Sequence, residues 1–336
     1  MSAGAWRIAL LFSVISLGSA YLNGYEWLRF FSFFGSWGTI GIVLTSIGIS
    51  WFTYAILRFC HQRGLTSLHE LFVHLFGSKL APSFSVLVYV ILLAYLGTVI
   101  GQQAVLQADH RYALLVVCSL CFTAFWLARR GMNEMVRAAW LLLILGLACI
   151  GLIFTEQRHV PVPSLSYQLN GYWILSACYY LALHLLLSVV ALLPLITRLP
   201  TPAAIRMGIG LGGLFLFFMT MLGHAALLAY WHEIHASAIP LKEILSRMIP
   251  YAAPVHTLVS LGHSGLVLAA LFYGLTVPVA ERYDLQLTPM LLVMSIATAA
   301  FALFPLWTEA FTSMPYTAAT YCGMLILAVY CWRYKV

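Results

Sequence analysis

A stretch of small and polar residues, Gly18-Ser19-Ala20-Tyr21-Leu22-Asn23-Gly24-Tyr25-Glu26, interrupts the first long apolar segment of the chain. Glycine lowers helix stability and lets the backbone open, and open backbone at membrane depth persists only where protein or a water-filled cavity satisfies it. An opened turn presents amide groups that suit an anionic group, and carbonyl oxygens that suit a cation. A helix-packing face of small residues is the alternative. Because an acid follows the cluster, we favour a binding site and predict solute contacts at Gly18, Ser19, Ala20, Tyr21, Asn23 and Gly24.

Glu26 is the one carboxylate that the sequence places clearly within an apolar, membrane-spanning segment. Intramembrane acids are costly to bury and are therefore candidates for function. We predict that Glu26 serves ion coupling or gating. Arg29 lies three residues further on, close enough to pair with it on one helix face, so a structural ion pair is the alternative.

The composition of the chain requires a membrane. Of its 336 residues, 62% are hydrophobic and 8% are charged, whereas a soluble domain carries roughly 25% charged residues. We predict an all-α polytopic membrane protein, a single domain over residues 1–336, with ten spans of the length that a bilayer requires. The predicted spans 1 to 10 are residues 5–34 (interrupted), 38–60, 83–103, 111–128, 137–155, 171–196, 204–231, 252–280, 287–306 and 314–332.

The distribution of basic residues predicts the orientation. With the N-terminus inside, twelve of the 17 lysines and arginines fall in inner segments. Cytoplasmic loops are enriched in Lys and Arg, so we expect a multi-pass protein of the cell membrane with both termini in the cytoplasm. The basic residues are scattered between apolar runs, which argues against a nucleic-acid partner.

Two short amphipathic segments suggest an internal repeat. Leu68–Leu75 and Leu241–Met248 align residue for residue at an offset of 173, and each follows the second span of a five-span half. Both are typical of helices at the membrane surface, on opposite sides. Chance similarity is the alternative, but the topology favours a five-plus-five inverted repeat with halves of about 1–160 and 161–336. Such repeats are common in secondary transporters, whose site lies between broken helices near the midplane.

The interrupted segment also resembles that of a known family. YkvI-type membrane proteins, distant relatives of the amino acid–polyamine–organocation transporters, carry Gly-Ala-Gly-Phe-Ala-Ser-Gly-Gln-Glu in their first helix. This chain keeps Gly18, Gly24 and Glu26 of that pattern, followed by Phe30-Phe31 and Phe34-Gly35. The resemblance extends to 68–77 and to 180–194. It implies a LeuT-like fold and a transport role.

The inverted repeat makes span 6 the partner of span 1, with a milder opening because its middle lacks glycine, and with Tyr180 and His184 near the solute. His184 titrates near physiological pH, although a histidine in an apolar segment is more often a packing residue. In LeuT-like transporters, hydroxyl groups of helix 8 and carbonyls of the helix 1 break hold a sodium ion. By location, Thr257, Ser260 and Ser264 are the candidates here, the alternative being hydroxyls that bond to their own helix.

Taken together, these residues predict a secondary active transporter of a small polar or zwitterionic, amino-acid-like solute, coupled to Na⁺ or H⁺. A membrane sensor or receptor subunit of the same fold, which binds without transporting, is the alternative. No enzymatic motif occurs in a suitable context, and the histidines lack metal-ligand spacing. We therefore expect neither catalysis nor a bound metal or organic cofactor, and the bilayer and the solute as partners.

Overall fold

The computed structural model of the protein describes residues 3–19, 21–107, 110–156, 171–196, 201–249, 251–307 and 313–334. Throughout these ranges the regular elements are helices. They are α1 (Ala3–Leu17), α2 (Tyr25–Phe30), α3 (Ser36–Arg63), α4 (Leu68–Phe76), α5 (Ala81–Gln107), α6 (Ala113–Arg130), α7 (Met132–Glu156), α8 (Tyr172–Ile196), α9 (Pro202–Ala229), α10 (Trp231–Ile234), α11 (Pro240–Met248), α12 (Ala252–Tyr283), α13 (Leu287–Trp307) and α14 (Ser313–Tyr334).

The described helices account for the predicted spans. Eight of them are long and apolar enough to cross a membrane, and two shorter apolar helices, Ala3–Leu17 and Leu287–Leu303, add spans 1 and 9. Many leucine, valine, phenylalanine and tryptophan side chains on their outer faces are exposed, as expected for surfaces that contact lipid. The all-α polytopic class is confirmed.

The first span is interrupted where the sequence predicts it. α1 ends at Leu17, a 3₁₀ turn covers Tyr21–Asn23, and α2 begins at Tyr25. Gly18 and Gly24 bracket this turn with φ angles of 85° and 79°. Because a left-handed backbone is strained for residues with a Cβ, these two glycines are what allow the helix to stop and restart.

The predicted interruption of span 6 is wrong for the described part of that span. α8 runs without a break from Tyr172 to Ile196, and Pro194 falls in its last turn. The segment contains no glycine and is rich in leucine and alanine, both good helix formers. It is also packed on α3, α12 and α14, so its backbone remains fully helical in the interior.

The packing follows the inverted repeat. α1 packs on α9, while α8 packs on α3; α5 packs on α13, while α12 packs on α6. In span numbers, the contact of spans 1 and 7 corresponds to that of spans 6 and 2, and the contact of spans 3 and 9 corresponds to that of spans 8 and 4. The corresponding spans are five apart, as an inverted repeat of five spans requires. The surface helices obey the same rule, since α4 packs on α5 and α11 packs on α12. The five-plus-five arrangement is confirmed, whereas the predicted boundary between the halves, at about residue 160, lies outside the described residues and stays a prediction.

Candidate functional site

A cavity of about 550 Å³ lies beside the interruption, between α2, the second half of α5, and the first turns of α8 and α14. The last turn of α8 lies at the opposite side of the membrane, where the carbonyl of Ile196 contacts the ring of His61. The cavity therefore faces the side away from the N-terminus. Eight of its 21 lining residues are aromatic: Tyr25, Phe30, Phe34, Tyr95, Tyr172, Tyr179, Tyr316 and Tyr321.

The carboxylate of Glu26 forms the deepest charged part of this wall. The residue is 7% exposed, and its Oε2 lies 3.9 Å from Nε2 of the fully buried His184. Gly18 leaves the space in which the two meet. A Cβ added there would lie 2.9 Å from Glu26 Oε2 and 2.7 Å from His184 Cε1. The open turn, the acid and the histidine thus form one cluster that joins α1, α2 and α8.

Three tyrosines surround this cluster. The Tyr180 ring lies 4.0 Å from that of His184 and 5.6 Å from that of Phe30, with distances taken between centroids. The Tyr316 ring lies 5.8 Å from that of Tyr95 and stacks on Phe30 at 6.2 Å. The hydroxyl groups of Tyr95, Tyr180 and Tyr316 are buried, and none has a hydrogen-bond partner among the described residues.

Glu26 Oε2 and both ring nitrogens of His184 are likewise buried and have no hydrogen-bond partner among the described residues. Buried polar groups in native proteins are almost always hydrogen-bonded, and leaving one unpaired costs about 1–3 kcal/mol. Of these residues, Glu26, Tyr95 and Tyr316 line the cavity, so their unpaired oxygen atoms are available to a polar molecule in it.

Arg29 lines the same cavity and is exposed to it. The alternative, an ion pair between Arg29 and Glu26, is not observed; the basic group within 4 Å of that carboxylate is His184. Within the described part of the chain, Arg29 has no ion pair with any other acid either. One cavity thus presents a carboxylate and a guanidinium that do not neutralise each other.

The carbonyl groups released by the interruption are bonded to α12. The Nε2–H of His256 donates to the carbonyl of Leu22 (2.7 Å), and that of His263 donates to the carbonyl of Val14 (3.2 Å). In the same way, the hydroxyl of Ser264 donates to the carbonyl of Ser19 at 2.6 Å. Protein donors therefore satisfy these three carbonyls, as membrane depth requires.

A buried amide network starts at Asn23, in the 3₁₀ turn. Its Nδ2 donates to Gln103 Oε1 (3.0 Å), and its Oδ1 accepts from Gln107 Nε2 (2.6 Å) and from the Ser260 hydroxyl (3.0 Å). The side-chain amide of Asn23 thus joins the interruption to α5 and α12. It lines the cavity but is already bonded to protein.

The network continues to the surface helix α11. Gln107 Oε1 accepts from Thr257 Oγ1 (3.1 Å) and from Lys242 Nζ (3.2 Å), whose pKa is lowered by partial burial. Gly24 lies against the same helix, since a Cβ there would be 2.7 Å from Leu241 Cγ. Gly24, Thr257 and Ser260 therefore hold α11 and α12 against the opened turn.

The remaining predicted contacts separate into two groups. Tyr180 and His184 lie with Gly18 and Glu26, as described above. Tyr21 faces away from the cavity, with its ring 4.4 Å from that of His263 and 5.5 Å from that of Trp27. Ser19 lies beside Ser264 through its carbonyl, and Ala20 lies outside the described residues. Their roles stay predictions.

Sequence reasoning missed the contributions of α5 and α14, chiefly Tyr95, Gln103, Gln107 and Tyr316. A signal for the first three was present. Tyr95, Gln103 and Gln107 recur at multiples of four residues, so they share one face of an otherwise apolar helix. Tyr316 had no such signal, because it stands near the start of its helix among other polar residues.

Comparison with solved structures finds the same architecture in MhsT, whose crystal structure was determined in complex with L-phenylalanine. The match has a TM-score of 0.63 at 14% identity and covers 97% of this chain and 88% of that one. The fold is LeuT-like. No family model matches the chain, and neither does any curated protein. The resemblance to YkvI-type proteins stays a prediction.

Proposed function

We propose that the protein is a secondary active transporter that moves a small zwitterionic, amino-acid-like solute by alternating access, coupled to protons. The observation that carries this proposal is the cavity beside the interrupted helix, which holds an unpaired carboxylate and an unpaired guanidinium. A solute with both charges neutralises each at once. The LeuT-like fold, which places such sites between broken helices, supports the same interpretation.

The two charges assign an orientation to the solute. Its ammonium group binds the carboxylate of Glu26, where the ring of Tyr316, which lines the cavity, adds cation–π attraction. Its carboxylate binds Arg29, whose planar guanidinium favours two parallel hydrogen bonds to such a group. The aromatic wall suits an apolar side chain. MhsT, of similar fold, binds the amino acid L-phenylalanine in its crystal structure.

Hydrogen bonding around the interruption favours protons over sodium. Sodium needs several oxygen ligands, and the carbonyls of Val14, Ser19 and Leu22 each have one of their two lone pairs engaged by a donor from α12. Of the three hydroxyl residues predicted for a sodium site, only Ser264 bonds to this backbone. Glu26 and His184, by contrast, can share a proton at the solute site.

The orientation of the protein completes the proposal. With both termini in the cytoplasm, the cavity opens to the outside and α11 lies at its outer rim. The solute then enters from outside, and the release of α12 from the opened turn changes the side to which the site is accessible.

The test is uptake into proteoliposomes that contain the purified full-length protein. Radiolabelled L-phenylalanine and L-leucine are supplied under an imposed pH gradient, or under a sodium gradient at constant pH. We expect uptake that follows the pH gradient and is lost in Glu26→Gln. Arg29→Gln should lower the affinity for amino acids by roughly tenfold or more, because a charged hydrogen bond is worth about 1.5–3 kcal/mol. It should leave the affinity for the corresponding amines unchanged, because they lack the carboxylate.

Glu243→Gln is the matched control, since Glu243 is partly exposed on α11, where it pairs with Arg247. It should transport like wild type. Uptake driven by sodium alone would contradict proton coupling. Saturable binding without uptake under either gradient would contradict transport and favour the sensor.

A further inference from the structure

A second cavity is an open groove between helices α3 and α9, on the surface of the helix bundle that faces lipid. It has a volume of about 510 Å³ and is separate from the cavity at the interruption. Its floor is made of the small residues Ser46, Ser50, Gly210 and Gly213, and its walls are almost entirely apolar. The walls come from Val43, Ile47, Trp51, Tyr54, Ile209, Leu214 and Phe217, with Arg206 at one end.

The two glycines of this groove have different roles. A Cβ at Gly213 would overlap the Ser50 hydroxyl, so this glycine is where α9 packs closely on α3. A Cβ at Gly210 would meet nothing within 4 Å. The helices therefore touch at Gly213 and leave an open channel at Gly210, which extends toward the membrane face that carries the N-terminus.

Arg206 stands where this channel reaches the membrane face. It lies in the first turns of α9, is exposed, and forms no ion pair with any residue that the structure describes. From Arg206 to Phe217 the channel follows α9 for eleven residues, or roughly 16 Å at 1.5 Å per residue. A fixed positive charge at the interface thus continues into an apolar slot that reaches about half of the hydrocarbon layer.

We propose that this groove binds one anionic phospholipid, with a fatty acyl chain along Gly210 and the phosphate on Arg206. A single unpaired cation at the rim selects a negatively charged head group, because a basic residue at a membrane surface attracts anionic lipid. The slot accepts an unbranched chain, since its floor lacks side chains at Gly210. The proposal does not depend on the transport function, because the groove shares no residue with the other cavity.

The experiment counts lipids on the purified full-length protein by native mass spectrometry. Phosphatidylglycerol and phosphatidylcholine of identical acyl chains are titrated in detergent. We expect one phosphatidylglycerol to bind more tightly than phosphatidylcholine, by about fivefold or more. Arg206→Gln should bring phosphatidylglycerol to the level of phosphatidylcholine. Gly210→Leu should abolish the binding of both lipids at this groove, because the leucine side chain fills the channel without a clash.

Two matched variants separate this site from general lipid contact. Gly151→Leu places the same side chain on a lipid-facing position of α7 where a Cβ also meets nothing within 4 Å. Arg7→Gln removes an exposed charge from the same membrane face. Both should bind phosphatidylglycerol like wild type. Unchanged binding in Gly210→Leu, or a dimer mass that Gly210→Leu abolishes, would overturn the proposal, the latter by making the groove an interface between two copies.

Discussion

The carboxylate of Glu26 lies 3.9 Å from the imidazole of His184, and both side chains lie beside Gly18, where α1 ends. This distance is too long for a hydrogen bond, and neither of the facing atoms has a hydrogen-bond partner among the described residues. The contact joins two spans that are partners in the inverted repeat. It depends on the absence of a side chain at Gly18, because that position supplies both the bend and the space.

Gly18→Ala should therefore abolish solute binding and destabilise the protein. The left-handed backbone costs about 1–2 kcal/mol for alanine, and the new Cβ would displace Glu26 and His184, to which it would be closer than 3 Å. Thermal unfolding in detergent and a binding titration measure the two effects. Gly151→Ala, at an open helical position, is the control and should match wild type in both. Normal affinity in Gly18→Ala would show that the cluster does not form the site.

The tyrosine hydroxyl groups offer a test in which stability and affinity separate. Those of Tyr95 and Tyr316 are buried without protein partners, so Tyr95→Phe and Tyr316→Phe should leave the unfolding temperature unchanged or slightly higher. If the hydroxyl groups bind the solute, each variant should lose roughly tenfold or more in affinity. Tyr21→Phe is the matched control, because its hydroxyl is equally buried and unpaired but faces away from the cavity. A loss of affinity in Tyr21→Phe that equals the loss in Tyr316→Phe would place the solute elsewhere.

How far sequence reasoning reaches can be judged from particular residues. Gly18, Gly24 and Glu26 marked the interruption because a cluster of small and polar residues followed by an intramembrane acid is unusual in a spanning helix. The fold followed from the lengths of the spans and the paired surface helices. Span 6 was misjudged because the repeat was extended to a segment whose leucines and alanines favour an unbroken helix. Tyr316 could not be found, since only the tertiary packing of α14 on α5 brings it to the cavity.

The bonds from α12 to the opened turn should contribute measurably to stability. Ser264→Ala removes the donor to the carbonyl of Ser19 and leaves a buried acceptor unpaired, which costs about 1–3 kcal/mol. Ser295→Ala is the matched control, since its hydroxyl is buried too but bonds only to Leu291 of its own helix. The unfolding temperature of Ser264→Ala should fall clearly below that of Ser295→Ala. If sodium restores the stability of neither variant, the turn does not need the ion. Restoration of Ser264→Ala by sodium alone would instead indicate a cation site at Ser19.

The amide network predicts which contact holds the surface helix α11 in place. Gln107 joins Lys242 on α11 to Asn23 at the interruption, so Gln107→Leu should release α11 while keeping the volume of the side chain. Hydrogen–deuterium exchange of the amides in Pro240–Met248 should then become at least several-fold faster, because opening of this helix no longer breaks buried polar contacts. Gln102→Leu is the control, being an exposed residue of the same cavity wall, and should leave exchange unchanged. If the solute also slows exchange in wild type but not in Gln107→Leu, then Asn23 and Gln107 carry the effect of binding from the opened turn to α11. Equal slowing in both proteins would exclude that route and leave the direct contact of Gly24 with Leu241 to carry it.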